Sequence, residues 1–481
     1  MKRNLFIFTV FCSAIFGAGV EAVAQNSSAV STTFVKDAAS FGFLPENDGL
    51  KNAAALQKAV DGGGTIVVSK AGTYALSKTV MLDDHTRLIF GGNVFVKKKA
   101  SPDKFAYVFV NRGAYKKQWN EDIEIEGLNL SVNGVDSRGG DVIGLIGQVS
   151  FFYVKDLHIK RFRCYDLESS QFCIQICTFE NAAVDDVVIY GKKDGVHFGR
   201  GKIFRVSNGV FRTFDDAIAL NAHDYSTSNP ELGWIEDGVI ENIVDLDDVS
   251  TTGYFCRILA GAWCEWREGM EIRRSDSAVS NGRVYRSVNP PDGAKFVSKT
   301  RPTHEKGVVE LDGIKWAMVQ EGSVYDAGVR NAVFRDIYIY KRRTAFSVHF
   351  DNDRYSRSFH PDAAKVSQSN IVFDNVQILH GDPKPFLTTY TPIDVMVLKN
   401  CSLRNNQIIF RSNSDIKDFG KTFIRMMGCT LNMSKKMPLV VNKIPQKEID
   451  FYSAGTAVLG ETPLAPENSG KGKFDCDFLT K

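Results

Sequence analysis

The sequence predicts an all-β protein built on a right-handed parallel β-helix, with a short capping helix at its N-terminal end and an inserted antiparallel β segment. Three observations predict this architecture. Short runs of alternating aliphatic residues, each preceded by Asp, Asn or Gly, recur along most of the chain. They begin about 20 to 40 residues apart, the usual length of one unit in a stacked repeat. One helical pattern precedes the repeat, and one long gap interrupts it.

The repeat unit is a turn residue followed by a strand. Such a unit cannot bury its apolar face alone, so successive units must stack to form a core. Their irregular spacing puts loops of different lengths on one side, where a binding groove is expected. A β-sandwich is the alternative for short strands, but the combination of turn and strand in each unit favours the β-helix. The units begin at Asp122, Asp156, Asp186, Asn208, Asp237, Asn331, Asn370, Asn400 and Gly428.

Five segments are predicted along the chain. Residues 1–24 have a charged start, an apolar stretch and a small-residue cleavage site, which together are typical of a secretory signal. This predicts a protein exported to the periplasm, the cell surface or the extracellular space, with no membrane span. Residues 25–244 are predicted to hold the cap and the first coils, 245–328 the insert, 329–460 the later coils and 461–481 a tail.

The composition is that of an ordinary globular protein. The 481 residues are 43% hydrophobic and 24% charged, with a formal net charge of +3. The chain has no excess of basic residues that would indicate a nucleic-acid partner. Its slightly positive net charge permits an acidic polymer as substrate. No cofactor or metal is predicted, and the oligomeric state stays open. Of the eight cysteines beyond the signal, Cys256 and Cys264 are the pair best placed for a disulfide.

The N-terminal region carries the first resemblance to a known family. Asn52 is expected to cap a helix over residues 53–60, Gly62-Gly63-Gly64 ends it, and Gly72-Thr73-Tyr74 begins a strand. This order of helix, glycine run and strands resembles the start of the pectate-lyase-like superfamily of right-handed parallel β-helices. The resemblance implies that the helix covers the open end of the coil stack.

The gap in the repeat, residues 245–328, is too long for a plain loop. Ser280-Asn281-Gly282-Arg283 is typical of a β-hairpin, and Pro290-Pro291-Asp292-Gly293 of a second turn. We expect an antiparallel segment beside the groove, and two distorted coils are the alternative. A β-helix that carries such an insert resembles, in architecture only, the inverting α-galactosidases of family 110, which have inserted β-barrels.

Three carboxylates are the candidate catalytic residues. Asp215 and Asp216 follow Asp194 by 21 and 22 residues, which is about one coil. Stacked strands lie about 4.8 Å apart, so these side chains should meet. Clustered carboxylates suit glycoside cleavage, in which one acid protonates the leaving oxygen and another activates water. The alternative is a set of solvated turns, because Asp-Gly and Asp-Asp are common turn sequences.

The same stretch resembles a family of glycoside hydrolases. Asp194-Gly195, followed one coil later by Asp215-Asp216-Ala217-Ile218-Ala219-Leu220, resembles the polygalacturonase-type enzymes of family 28. The resemblance implies that Asp216 is the general acid, that Asp194 and Asp215 activate water, and that the anomeric centre is inverted.

Substrate-binding residues are predicted around these acids. Lys193, His223 and Arg257 are the candidates, and Arg257-Ile258-Leu259 is similar to part of the Arg-Ile-Lys motif of family 28. The family's Gly-His-Gly segment has no counterpart near Asp237-Gly238. The sequence therefore predicts an exported, inverting glycoside hydrolase acting on a polysaccharide or oligosaccharide. A polysaccharide lyase and a non-catalytic glycan-binding β-helix are the alternatives.

Overall fold

The structure is a computed structural model that describes residues 35–103, 105–137, 140–248 and 252–479. The predicted signal, 1–24, lies outside the described residues. Thirty strands form one sheet, paired in parallel, that curls nearly closed around an apolar core. The chain therefore has the predicted parallel β-helix fold. Within the described ranges, every helix is too short or too polar to cross a membrane.

One α-helix, α1 (Gly49–Val60), packs against the first strands of the stack. Its cap is Asp48, whose side chain accepts hydrogen bonds from the N–H groups of Leu50 and Lys51 at 2.9 and 2.8 Å. These bonds satisfy backbone donors that a helix start leaves without partners. The predicted cap at Asn52 is therefore wrong, because that residue is fully buried inside the helix.

The first coils contain nine strands arranged in three parallel ladders, β1–β2–β5–β8, β3–β6–β9 and β4–β7. They are β1 (Val35–Asp37), β2 (Gly64–Val68), β3 (Gly72–Leu76), β4 (Val80–Leu82), β5 (Thr86–Phe90), β6 (Val94–Lys98), β7 (Phe109–Asn111), β8 (Asn120–Glu126) and β9 (Asn129–Ser131). Short 3₁₀ helices lie at Ala38–Phe41 and Arg112–Tyr115.

The middle coils hold the candidate site. The long strands β10, β11, β13 and β15 form one parallel ladder. The short strands β12, β14 and β16 form a second ladder, which begins on the first residues of β11. Their bounds are β10 (Val149–Leu167), β11 (Ile174–Gly191), β12 (Val196–Phe198), β13 (Gly201–Thr213), β14 (Ile218–Asn221), β15 (Ile235–Asp245) and β16 (Cys256–Leu259).

The predicted turn residues bend the chain at the corners of the coils. All nine have positive φ, between 51° and 61°. Asn and Asp tolerate this left-handed conformation better than other side chains except Gly. Equivalent corners are also linked between coils, since the amide of Asn331 donates to Asp237 and that of Asn370 donates to Asn331, at 2.8 and 3.1 Å. These side-chain bonds help to fix the register of the stack.

The inserted segment forms small sheets of its own. Its main sheet has the order β18–β20–β21–β24–β23, antiparallel except for β18 with β20, and two-stranded sheets join β17 to β25 and β19 to β22. The predicted hairpin at Asn281-Gly282 is confirmed between β20 and β21. The strands are β17 (Gly261–Ala262), β18 (Cys264–Glu265), β19 (Met270–Ile272), β20 (Ser277–Ser280), β21 (Arg283–Ser287), β22 (Phe296–Ser298), β23 (Val308–Leu311), β24 (Ile314–Glu321) and β25 (Asp326–Ala327).

The predicted insert, 245–328, begins with a strand of the stack itself. Strand β16 pairs in parallel with β14, and on its other side with the first short strand after the insert. Cys256 is therefore buried in the core of the coils, while Cys264 packs on the separate apolar cluster of the insert. Both cysteines are free thiols, so the pair best placed for a disulfide does not form one.

The last coils continue the ladders to the end of the described chain. The strands are β26 (Val329–Ile339), β27 (Phe346–His349), β28 (Ser369–Ile378), β29 (Leu387–Thr389), β30 (Val395–Lys399), β31 (Ser402–Arg404), β32 (Ile408–Phe410), β33 (Lys421–Met427), β34 (Thr430–Met433), β35 (Val440–Asn442), β36 (Glu448–Ala454), β37 (Ala457–Gly460), β38 (Glu467–Asn468) and β39 (Lys471–Asp475). Strands β38 and β39 pair with β35 and β36, so the segment predicted as a tail adds to the stack. A 3₁₀ helix, Asp477–Leu479, follows.

Candidate active site

The register of two short strands brings the three candidate acids together. Val196 of β12 pairs with Ile218 of β14, so Asp194 and Asp216, each two residues earlier, lie on neighbouring coils. The N–H of Gly195 donates to the carbonyl oxygen of Asp216 at 3.0 Å, which fixes this alignment. One carboxylate oxygen from each of Asp194, Asp215 and Asp216 lies within 4.8 Å of the others. We call these three residues the carboxylate cluster.

A bend allows two consecutive acids to join the cluster. Neighbouring residues of a regular strand point to opposite faces. Asp215 and Asp216 avoid this because β13 ends at Thr213 and β14 begins only at Ile218, with a bend at Phe214 and Asp215 between them. The hydroxyl of Thr213 donates to the carbonyl oxygen of Asp215 at 2.9 Å and helps to hold the bend.

Lys193 and His197 hold one side of the cluster. The ammonium of Lys193 forms an ion pair with Asp215 and lies 3.6 Å from Asp194 Oδ1. His197 Nδ1 lies 3.1 Å from Asp194 Oδ2. The ring of Phe172 stacks on the imidazole at a centroid distance of 4.0 Å, which fixes its plane. Asp194 is therefore oriented by a cation and an imidazole.

Arg257 holds the other side. Its Nε lies 3.0 Å from Asp216 Oδ2, and its Nη2 lies 3.5 Å from Asp224 Oδ2. Asp224 is fixed by the Asn221 amide, which donates to it at 2.7 Å. The N–H of Tyr254, one coil further on, donates to Asp216 Oδ1 at 2.8 Å. Arg257 thus links the cluster to a fourth carboxylate.

The acids of the cluster differ in protonation. Burial raises the pKa of Asp216 to about 8, and although Arg257 opposes this, the charges of Asp215 and Asp194 add to it. Burial also acts to raise the pKa of Asp194, but Lys193 and His197 outweigh it, so that this pKa lies well below its usual range. Asp216 therefore keeps its proton near neutral pH while Asp194 is ionised, a division that suits an acid and a base.

Solvent reaches the cluster from one side. Asp194 and Asp216 are 0% and 1% exposed. The side chains of Asp215 and Lys193 are 21% and 20% exposed, and that of Arg257 13%. A substrate would therefore meet Asp215 and Lys193 first. A cation could bind the three carboxylate oxygens, but Lys193 already supplies a positive charge between Asp194 and Asp215.

Five of the six predicted site residues meet at this place. The exception is His223, which is 1% exposed and whose ring lies 5.9 Å from that of Trp263, measured between centroids. Among the described residues, no hydrogen bond or ion pair joins its side chain to the cluster. Sequence reasoning missed His197, Asp224 and Tyr254. His197 follows Asp194 by three residues, so its position on the next short strand was the available signal.

Comparison with known proteins gives a likeness of fold. No family model matches the chain, and no curated protein matches its sequence. The A-module of the mannuronan C-5 epimerase AlgE4 of Azotobacter vinelandii is similar, with a TM-score of 0.56, 13% identity, and coverage of 92% of this chain and 100% of that chain. The A-module of the mannuronan C-5 epimerase AlgE6 from the same organism has a TM-score of 0.53 and 13% identity, and the match covers 91% of this chain and 99% of that chain.

A family 28 exopolygalacturonase from Yersinia enterocolitica is also found, with a TM-score of 0.45, 11% identity, and coverage of 92% of this chain and 78% of that chain. The likeness to the two A-modules shows a shared fold at low identity. Fold and site together define a parallel β-helix protein with a partly exposed cluster of three carboxylates.

Proposed function

We propose that this protein is a carbohydrate-active enzyme that hydrolyses a glycosidic bond in a polysaccharide or oligosaccharide. One observation carries the proposal: Asp216, whose pKa is raised to about 8, lies beside Asp194, whose pKa is lowered, and beside the partly exposed Asp215. Hydrolysis of a glycoside needs a protonated and an ionised carboxyl group at one place. The epimerases and the exopolygalacturonase of similar fold act on carbohydrates, which agrees with this assignment.

Asp216 is the general acid in this proposal. Its proton passes to the glycosidic oxygen as the bond to the anomeric carbon breaks, and the leaving sugar departs with that proton. Asp215 is the base that takes a proton from the attacking water, because it is the member of the cluster nearest to solvent. Asp194, held by Lys193 and His197, keeps a negative charge next to the developing oxocarbenium ion.

The resemblance to family 28 adds inversion as the stereochemical course. Inverting enzymes ordinarily hold their carboxyl groups about 6.5–9.5 Å apart, with the water between them. The carboxylate oxygens here lie within 4.8 Å of one another. In this proposal the water therefore lies on the solvent side of Asp215. Proton NMR of the first product decides the course, and a retained anomer would refute inversion.

The test of hydrolysis is a reducing-end assay on a panel of purified polysaccharides and oligosaccharides. We expect new reducing ends without the ultraviolet absorbance of a new C=C bond. Reducing ends that appear together with that absorbance would identify a lyase instead. Binding to a glycan without any new reducing ends, even after long incubation at high protein concentration, would identify a non-catalytic glycan-binding protein.

Export is the second part of the proposal. The charged start, apolar stretch and Ala22-Val23-Ala24 site support it. Expression of the full chain in a bacterial host, followed by fractionation and N-terminal sequencing, tests it. We expect mature protein that begins near Gln25 outside the cytoplasm, and uncleaved chain confined to the cytoplasm would refute it.

A further inference from the structure

A cavity lies between the insert and the coil stack. Its volume is about 340 Å³, which is within the range of small-molecule sites. The insert contributes Arg286, Val288 and Met318 to the wall, and the stack contributes Val142 and Ser226. No member of the carboxylate cluster lines it. It is therefore a separate cavity, with both charged and apolar surface.

Arg286 is the unusual residue of this cavity. It lies on β21 and is 1% exposed. Its Nε and Nη1 donate to the carbonyl oxygens of Ser275 and Asn229 at 3.4 and 3.2 Å. Its Nη2 has no hydrogen-bond partner, and within the described ranges the guanidinium forms no salt bridge. The charges of Asp224, Asp351 and Asp276 act on this guanidinium, but burial outweighs them and lowers the pKa of Arg286 to about 10. A bound anion that accepts a hydrogen bond from Nη2 would therefore offset a cost of burial that these acids leave uncompensated.

Ser226 presents a second unsatisfied group to the same cavity. Its hydroxyl is buried and has no hydrogen-bond partner. Its backbone N–H donates to the Ser275 hydroxyl at 3.0 Å, which holds the residue in position. Buried polar groups are nearly always hydrogen-bonded, so each exception calls for an explanation. A ligand that accepts hydrogen bonds from both Arg286 Nη2 and the Ser226 hydroxyl would explain both exceptions.

The charge and shape of the wall define the chemistry of that ligand. Arg286 brings one positive charge and Asp141 a negative one, while Lys117, which also lines the wall, is already paired with Glu231 at 3.1 Å. This balance suits a single negative charge better than the double charge of a phosphate group. Val142, Val288 and Met318 provide apolar surface for a small organic body. A guanidinium donates well to carboxylate oxygens.

We propose that this cavity binds a small organic monocarboxylate of the size of a sugar acid. The carboxylate accepts hydrogen bonds from Arg286 Nη2 and from the Ser226 hydroxyl, and the body of the ligand packs on the apolar wall. The site is distinct from the carboxylate cluster and does not depend on the proposed hydrolysis, so a protein without hydrolase activity would still bind this ligand.

Isothermal titration calorimetry of the full chain tests the proposal. The probes are glucuronate, galacturonate and mannuronate, and their neutral parent sugars and inorganic sulfate are the comparisons. We expect at least one uronate to bind about tenfold or more tighter than its parent sugar, because the parent leaves Arg286 unpaired. Absence of binding by all three uronates, or equal affinity for uronate and parent, would overturn the proposal. Equal binding of sulfate through Arg286 would also overturn it.

Variants locate the binding. Arg286→Met should weaken uronate binding by about tenfold or more, and Ser226→Ala by a smaller factor. Arg283→Gln is the matched control: it lies on the same strand but pairs with Glu305 and Glu321 at the surface, and it should bind like the wild type. If Arg286→Met does not fold, Ser226→Ala decides the result. Unchanged affinity in the variant that folds would refute the site.

Discussion

Asp194 and Asp216 lie side by side on neighbouring coils, yet they have opposite protonation states. Both are buried, and burial acts to raise both pKa values. Lys193 and His197 stabilise the charge on Asp194, whereas the charges of Asp194 and Asp215 oppose ionisation of Asp216. Since a proton shared between adjacent carboxyls belongs to the group as a whole, the cluster should titrate as a unit.

The first prediction concerns the proton donor. Asp216→Asn should lower turnover on natural glycosides by about 10²–10⁴-fold, the usual contribution of general acid catalysis. The loss should be much smaller on aryl glycosides whose leaving group needs no proton. Steady-state kinetics with both kinds of substrate measure the difference.

A matched control for this variant is Asp237→Asn. Asp237 is exposed at a corner one coil further on, where it accepts a hydrogen bond from Asn331. It should keep wild-type turnover. Equal losses on both kinds of substrate in Asp216→Asn would show that this carboxyl does not protonate the leaving group.

The second prediction concerns stability and pH. In the unfolded chain Asp216 ionises near pH 3.8, whereas in the folded protein its pKa is about 8. The folded state therefore binds the extra proton between these values, and the contribution of Asp216 to stability is lost as the pH rises from about 4 to about 8. Relative to the wild type, Asp216→Asn should become more stable across this range and constant above it.

Urea denaturation at a series of pH values measures this difference in the free energy of unfolding. Asp194→Asn provides the comparison with the opposite sign. Because the folded pKa of Asp194 is lowered, its contribution is present above pH 3.8 and is lost as the pH falls further. A flat difference between Asp216→Asn and the wild type from pH 4 to 8 would contradict the raised pKa.

The third prediction concerns Arg257. Its guanidinium lies 3.0 Å from Asp216 and favours the ionised form of that carboxyl. In Arg257→Gln, the alkaline limb of the kcat/KM profile should therefore move to higher pH, by about one to three units. Arg267→Gln is the control, because Arg267, in the insert, forms an exposed ion pair with Asp362 of the connection between β27 and β28. If the alkaline limb of the kcat/KM profile did not move, Arg257 would have no effect on the pKa of Asp216.

The fourth prediction concerns the N-terminal cap. Asp48→Ala removes two hydrogen bonds to the start of α1 and should lower the free energy of unfolding by about 0.5–2 kcal/mol. Chemical denaturation measures the loss. Glu46→Ala is the control, since its exposed ion pair with Lys70 should contribute little. A similar loss in both variants would rule out a specific capping effect.

The local features of the fold could be read from the sequence because they depend on neighbouring residues. The corner residues, such as Asp237 and Asn331, can be predicted because few side chains tolerate positive φ. The Asn281-Gly282 hairpin can be predicted for the same reason. The sequence pattern places the helix start four residues too late, because Asp48 and Asn52 are both good capping residues and only the packing of the helix shows that Asn52 is buried.

The sequence by itself determined the coil repeat and the meeting of Asp194 with Asp215 and Asp216, because one short coil separates them and strands of adjacent coils must stack. Only the tertiary structure decided how the predicted Lys193 and Arg257 pair with them and that Tyr254 joins them. Tyr254 and Arg257 follow Asp216 by 38 and 41 residues, and the loop between these coils hides the register that brings them to its carboxyl. The cavity at Arg286 likewise depends on how the insert packs against the stack, a contact between segments far apart in the chain that no local pattern encodes.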